Sequence, residues 1–227
     1  MLNNIIQIAG VINLEEALML VDQGVGYIGF PLRLKDGRKD ISEEDARLII
    51  SKIKPQSKPV LITYLEKAKE ISEFCKYLDV DTIQLHGEIE LNEIKYLKES
   101  SPNLLVIKSL IVKEDNLKDL DLQIKNFSPY VDIFITDSYD PQTGRTGATG
   151  KTHDWEISSK IVELSPKPVI LAGGLNPNNV REAILKVKPA GVDSHTGVES
   201  PDGKKSLRIV REFVTEAQKG FNNLLNQ

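Results

Sequence analysis

Eight times along this chain a short apolar run gives way to a stretch whose apolar residues recur at helical spacing. No other feature constrains the fold as much. The runs fall at residues 5–9, 27–30, 60–62, 82–85, 104–107, 131–135, 169–171 and 191–193. Each has the length of a strand buried on both faces, and strands that alternate with helices lie parallel in one sheet. The first helical stripe is Leu14, Ala17, Leu18 and Val21, capped by Asn13; the sixth is Ile157, Ile161 and Leu164; the last is Leu207, Val210 and Val214. Ser42-Glu43-Glu44-Asp45 reads as a capping box, and Asn176-Pro177 as a helix start with Val180, Ala183, Ile184 and Val187 on its apolar face. Eight such units in 227 residues favour a closed (β/α)8 TIM barrel that occupies residues 1–227 as one domain. An open doubly wound sheet is the alternative architecture. No linker or low-complexity stretch interrupts the repeat.

Composition narrows the function classes. The net charge is -4 with no basic stripe, which argues against a nucleic-acid partner. Cys75 is the sole cysteine, so no internal disulfide can form, as suits a reducing compartment. It sits on a helical apolar face without metal-ligand spacing, which points to packing rather than reactivity. The opening MLNNIIQIAG lacks a basic segment and a long apolar run, so neither a signal peptide nor a membrane span is expected, and the cytoplasm is the expected location. There is no ligand cluster for a metal and no dinucleotide fingerprint, so no cofactor is expected.

In a barrel the active site lies at the carboxyl ends of the strands. That rule selects Ala9, the loop 33–39, Tyr64, His86, Lys108, Asp137, Gly173-Gly174 and His195-Thr196. The seventh and eighth strands each run into a small, polar turn, AGG at 172–174 and SHTG at 194–197. Backbone N–H groups in such turns hold phosphate, so Gly173, Gly174, Thr196 and Gly197 are the candidate phosphate grip. Asp137 directly follows an apolar run and reads either as a general acid or base with a tuned pKa, or as a turn-forming aspartate. His86 is either a ligand contact or a residue bonding its own loop. Lys108 either neutralises an anionic ligand or pairs at the rim. His195 reads as a proton carrier, a phosphate donor or an exposed loop residue. The loop 144–152 invites a nucleotide P-loop reading, which fails because Arg145 stands where that motif needs glycine; a lid over the mouth suits its glycines better.

Taken together, QLHGE at 84–88, VIKS at 106–109, TGATGKTHDW ending at Trp155, AGGLNPNNV at 172–180 and VDSHTGVES at 192–200 make the chain resemble the phosphoribosylanthranilate isomerase family of tryptophan biosynthesis, over nearly its whole length. The resemblance implies an Amadori rearrangement of an aminoaldose phosphate to an aminoketose. It implies that Asp137 is the general acid that protonates the ring oxygen, and that Arg38 or Lys39 meets the substrate carboxylate. It also exposes a gap. The family's general base is a cysteine in a Lys-Ile-Cys-Gly motif on the first strand, and here the motif reads Gln7-Ile8-Ala9-Gly10. Ala9 cannot take a proton, and the lysine is replaced too. His195, where the family carries a small residue, and His86 are then the histidines placed to serve as base, with Asp137, His195 and His86 as the expected catalytic set. His153 stands where the family has an aromatic residue. A sugar-phosphate-binding barrel without catalysis, and a weakened isomerase, are the competing readings. The expected partner is a small phosphorylated substrate, and the expected state a monomer or homodimer.

Overall fold

The computed structural model describes residues 4–35, 41–113, 115–140, 145–146 and 154–225. Eight parallel strands, β1 (Ile5–Ala9), β2 (Tyr27–Pro31), β3 (Lys58–Thr63), β4 (Thr82–Leu85), β5 (Leu105–Val112), β6 (Ile133–Asp140), β8 (Val169–Leu171) and β9 (Gly191–Ser194), carry the fold. They are hydrogen-bonded in the order β5-β4-β3-β2-β1-β9-β8-β6, and pairing of β5 with β6 closes the ring. This is the (β/α)8 barrel that the repeat predicts, and the open sheet is excluded by that closing pair. A two-residue strand, β7 (Arg145–Thr146), pairs antiparallel with the end of β6 and has no counterpart in the sequence reading. The helices are α1 (Leu14–Asp22), α2 (Glu43–Ile53), α3 (Ala68–Leu78), α4 (Leu91–Ser100), α5 (Leu117–Phe127), α6 (Trp155–Leu164), α7 (Val180–Val187) and α8 (Leu207–Leu225). Among the described residues, no helix is long and apolar enough to cross a membrane.

Strand alternation divides the core in two. One apolar cluster, with Ile5, Ala9, Tyr27, Val60, Ile62, Ile107, Ile133, Ile135, Ile170 and Ala172, fills the barrel. The other, with Ile6, Ile8, Ile28, Leu61, Val106, Leu110, Phe134, Leu171 and Val192, lies between strands and helices. Neighbours in sequence thus face opposite sides, as the period of two requires. β5 and β6 run further than their apolar runs suggest, so Lys108 and Asp137 lie inside strands rather than after them. Parity then dictates which way each side chain points.

Helix faces show where the sequence reading was inexact. In α1 the buried residues are Glu16, Ala17 and Leu20, whereas Leu14 and Leu18 are exposed. The helix is apolar on several sides, and a polar contact fixes its rotation: Glu16 accepts the Ile12 N–H at 3.2 Å and the Lys205 N–H at 3.0 Å. In α8 the stripe is Val210, Phe213, Val214, Ala217 and Phe221, and Leu207 at its first turn is exposed. Leu164, at the last turn of α6, is exposed as well. The caps at Asn13 and Ser42 form as expected, accepting from Glu16 N and Asp45 N. α7 begins later than Asn176-Pro177 implies: the Asn176 carboxamide accepts the Asn178 N–H in a turn, and Asn179 stands at the cap.

Glu16 ties the loop after β1 to the entry of α8, so its loss leaves two N–H groups without their partner. Glu16→Ala is expected to lower unfolding free energy by about 1–3 kcal/mol in urea titrations; an unchanged midpoint would contradict the clamp.

Candidate active site

The barrel interior turns polar as it rises from Ile5 on β1. Gln7 Nε2 donates to Gln84 Oε1 at 2.9 Å. β1 and β4 are not neighbours, so this bond crosses the barrel. Asp193 on β9 is paired in register with Gln7. Above this polar layer stand Ala9, His86, Ser109 and Asp137. His86 carries on the face of Gln84, and its N–H continues the ladder to the Thr63 carbonyl at 3.0 Å. Asp137 shares the inner face of β6 with Ile133 and Ile135.

These groups form one buried cluster. His86 Nδ1 shares a hydrogen bond of 3.1 Å with Ser109 Oγ and lies 3.7 Å from Asp137 Oδ2. The Tyr64 ring meets the His86 ring edge-on at 4.8 Å. Asp137 accepts the Ser138 N–H at 2.7 Å, which favours its charged form, but burial wins and pushes the carboxyl up to about 7. Asp193 is pushed up to about 7 too, first by burial and then by Asp137, against a weaker pull from Gln7 and Lys205. Two buried acceptors, Gln7 Oε1 and Asp193 Oδ1, have no hydrogen-bond partner among the described residues. Residues placed in this way can pass a proton near neutral pH.

The phosphate grip expected from sequence lies beside this cluster, at the ends of β8 and β9. Gly173 and Gly174 have φ of 100° and 63°, a region that suits residues without a Cβ. Asn179 Nδ2 at 3.1 Å and Asn176 Nδ2 at 3.4 Å donate to the Gly174 carbonyl and fix the turn. Thr196 and Gly197 form a single 3-10 turn, Thr196–Val198. A Cβ on Gly197 would stand 1.9 Å from the Leu175 carbonyl oxygen, which itself accepts from Ser194 Oγ at 2.8 Å. The two loops are therefore locked together.

The other expected site residues fall in different places. Lys108 does not face the mouth. It shares the outer face of β5 with Val106 and Leu110, donates to the Gly87 and Ser109 carbonyls at 3.1 and 3.0 Å, and lies 5.9 Å from the Phe127 ring. Burial lowers its pKa to about 8. Parity on a strand longer than expected explains the correction. His195 covers β1: a Cβ on Gly10 would stand 2.0 Å from its Nε2, and that nitrogen lies 3.6 Å from Glu199. Lys205 holds Glu199 at 2.6 Å and the His195 carbonyl at 3.0 Å. Arg33, in the loop after β2, is bound to Glu43 at 2.9 and 3.1 Å. Arg38, Lys39, His153 and all of the loop 144–152 except β7 lie outside the described residues. Cys75 is buried on α3, which pushes its thiol up to about 12 and removes it from the chemistry. Asp193 was missed by sequence reasoning. Its parity with Gln7, readable once β1 and β9 are paired, is the signal that finds it. Among the described residues, no group of three or more His, Cys, Asp or Glu is arranged to hold a metal.

Comparison with known proteins agrees with this geometry. Residues 6–216 match the family described as N-(5'-phosphoribosyl)anthranilate (PRA) isomerase. The chain is 36% identical over 222 residues to N-(5'-phosphoribosyl)anthranilate isomerase 2 of Methanosarcina mazei, covering 97% of each. It is 38% identical over 211 residues to the isomerase of Aquifex aeolicus, covering 92% of this chain and 96% of that one. The phosphoribosyl anthranilate isomerase structure from Thermotoga maritima superposes with a TM-score of 0.80 at 31% identity, covering 95% of this chain and 99% of that one. A structure of such an isomerase with reduced 1-(O-carboxyphenylamino)-1-deoxyribulose 5-phosphate gives 0.78 at 28% identity, with the same coverage. The chain belongs to the N-(5'-phosphoribosyl)anthranilate isomerase family.

Proposed function

We propose that the chain catalyses the Amadori rearrangement of N-(5'-phosphoribosyl)anthranilate to its aminoketose, with Asp137 as general acid. The observation that carries this reading is the Asp137 carboxyl, held inside the barrel beside the glycine turns and kept protonated up to neutral pH by burial. A protonated carboxyl can donate to the ring oxygen as the C1–O bond breaks, and the nitrogen lone pair then forms the C1=N bond. His86, at 3.7 Å, holds the Asp137 carboxyl toward the mouth and helps to stabilise the carboxylate that protonation of the substrate leaves behind. The backbone of Gly173, Gly174, Thr196 and Gly197 grips the phosphate, and His195 closes the phosphate end over Gly10. Arg38 or Lys39 meets the anthranilate carboxylate. Lys108 is left out of the substrate contacts, because its ammonium is spent on two carbonyls behind the strand. We place the reaction in the cytoplasm, performed by a monomer or homodimer.

Asp137→Asn removes the proton donor without changing shape. It is expected to lower kcat by about 10²–10⁴-fold, followed through anthranilate fluorescence, while the affinity for the reduced product analogue in calorimetry stays within threefold. Retained turnover would contradict the acid, and analogue binding without turnover by the unaltered protein would mark a binding barrel instead. The sign of the pH dependence follows from the raised pKa. Donation needs the protonated carboxyl, so this contribution to the rate is present below pH 7 and is lost as pH rises through about 7. Gly197→Ala drives a methyl group into the Leu175 carbonyl, and is expected to weaken inhibition by inorganic phosphate by about tenfold or more; unchanged inhibition would place the phosphate elsewhere.

A further inference from the structure

The rearrangement needs a second group, one that removes the C2 proton once the ring is open, and strand β1 offers only an amide and a methyl group there. We infer that Asp193, on the opposite side of β8 from Asp137, is the general base of this enzyme. The inference rests on the reaction proposed above.

Register places it. Ile135 pairs with Ile170, and Ile170 pairs with Gly191. Two residues further along, Asp137, Ala172 and Asp193 fall in register on three successive strands, all on the inner face, with Asp137 nearer the mouth. Two strand spacings put their Cα atoms about 9.5 Å apart. Only the Ala172 methyl group lies between them on that face, so a sugar can sit with one carboxyl at either side. On its other flank Asp193 is level with Gln7. Gln7 gives one amide N–H to Gln84 and also hydrogen-bonds Asp193, while Gln7 Oε1 and Asp193 Oδ1 remain buried acceptors with no partner among the described residues. Such a pair costs stability unless a donor arrives. A substrate C–H that ends as an O–H on Asp193 provides that donor during turnover. At Ala9, two residues nearer the mouth on the same face of β1, only a methyl group projects into the barrel.

The charged and titratable neighbours are few. Asp137 faces Asp193 across β8 and raises its pKa; Lys205, from the loop before α8, lowers it slightly, as Gln7 does. Lys205 is itself held by Glu199 and the His195 carbonyl, so it does not neutralise Asp193. The histidines are committed elsewhere: His86 to Ser109 and Asp137, and His195 to the cover of Gly10 opposite Glu199. Asp137 and Asp193 thus titrate as a pair near pH 7, and the working form carries one proton between them, on Asp137.

The protons balance. Asp137 gives its proton to the ring oxygen, C1–O breaks and C1=N forms. Asp193 takes the C2 proton, the C2–H electrons become C1=C2, and the C=N electrons return to nitrogen. The resulting enol passes its hydroxyl proton to Asp137 as C1 takes the proton back from Asp193. The product is the aminoketose, and both carboxyls are reset.

The test is steady-state turnover of N-(5'-phosphoribosyl)anthranilate by the full-length protein, its Asp193→Asn and Asp193→Glu variants, and its His195→Ala variant. Asp193→Asn is expected to lose about 10²–10⁴-fold in kcat with analogue affinity kept within threefold, and Asp193→Glu to recover part of it. A kcat kept within threefold, or a loss confined to KM and analogue affinity, overturns the inference and leaves Asp193 as a hydroxyl contact. A larger kcat loss in His195→Ala than in Asp193→Asn overturns it in favour of the histidine. A second reading needs no variant. The rising limb of kcat/KM against pH in the unaltered protein should hardly move with temperature, as befits a carboxyl; a limb that falls steeply on warming belongs to an imidazole and overturns the assignment. Absence of turnover in the unaltered protein removes the proposed reaction and this inference together, whereas turnover that survives Asp193→Asn removes the inference alone.

Discussion

Two carboxyl groups are drawn into the interior of one closed barrel, where burial disfavours their charged forms. Everything chemical about the site depends on that. In water both would be ionised near neutral pH and neither could donate a proton. Burial raises each to about 7, and the Asp137 charge raises Asp193 as well, so that near neutral pH a proton is available to the pair. The mechanism proposed above, which needs an acid and a base at the same pH, assigns them to two side chains of the same type, told apart by their neighbours. Asp137 has the Ser138 N–H and the His86 ring; Asp193 has the Gln7 amide and the weaker pull of Lys205.

Binding and proton transfer are built from different parts of the fold. The proposed phosphate end is backbone: glycines in the left-handed region, two asparagine amides on one carbonyl, and a 3-10 turn locked against Leu175. The interior, by contrast, is a matter of parity. Extending β5 and β6 past their apolar runs aims Asp137 into the barrel and Lys108 out of it. Behind both lies a polar clamp of Glu16, Lys205 and Glu199, which joins the loop after β1 to the loop after β9 and carries His195 with it.

Much of this was legible in the sequence. Eight apolar runs at near-regular spacing specified the barrel, and the small residues at 172–174 and 194–197 marked the two turns to which phosphate binding is assigned in the proposed function. Local signals could not set rotation or parity. α1 is apolar on too many sides for its buried face to be read, and a single buried glutamate decides it. Lys108 looked like a rim cation because the run around it seemed to stop early. Asp193 lay in plain view at the end of the last strand, but a lone aspartate carries no motif. Its place opposite Asp137 emerges only when β9 is laid between β8 and β1.

The most direct measurement of the shared proton is a carbon-13 NMR titration of the carboxyls of the protein labelled at aspartate, free of substrate. Two coupled resonances that move together around pH 7, with Asp137→Asn returning the Asp193 resonance to a lower titration point, are the expected result. Both carboxyls titrating independently near pH 4 would mean that water reaches them, and the acid and base assigned here could not coexist at neutral pH.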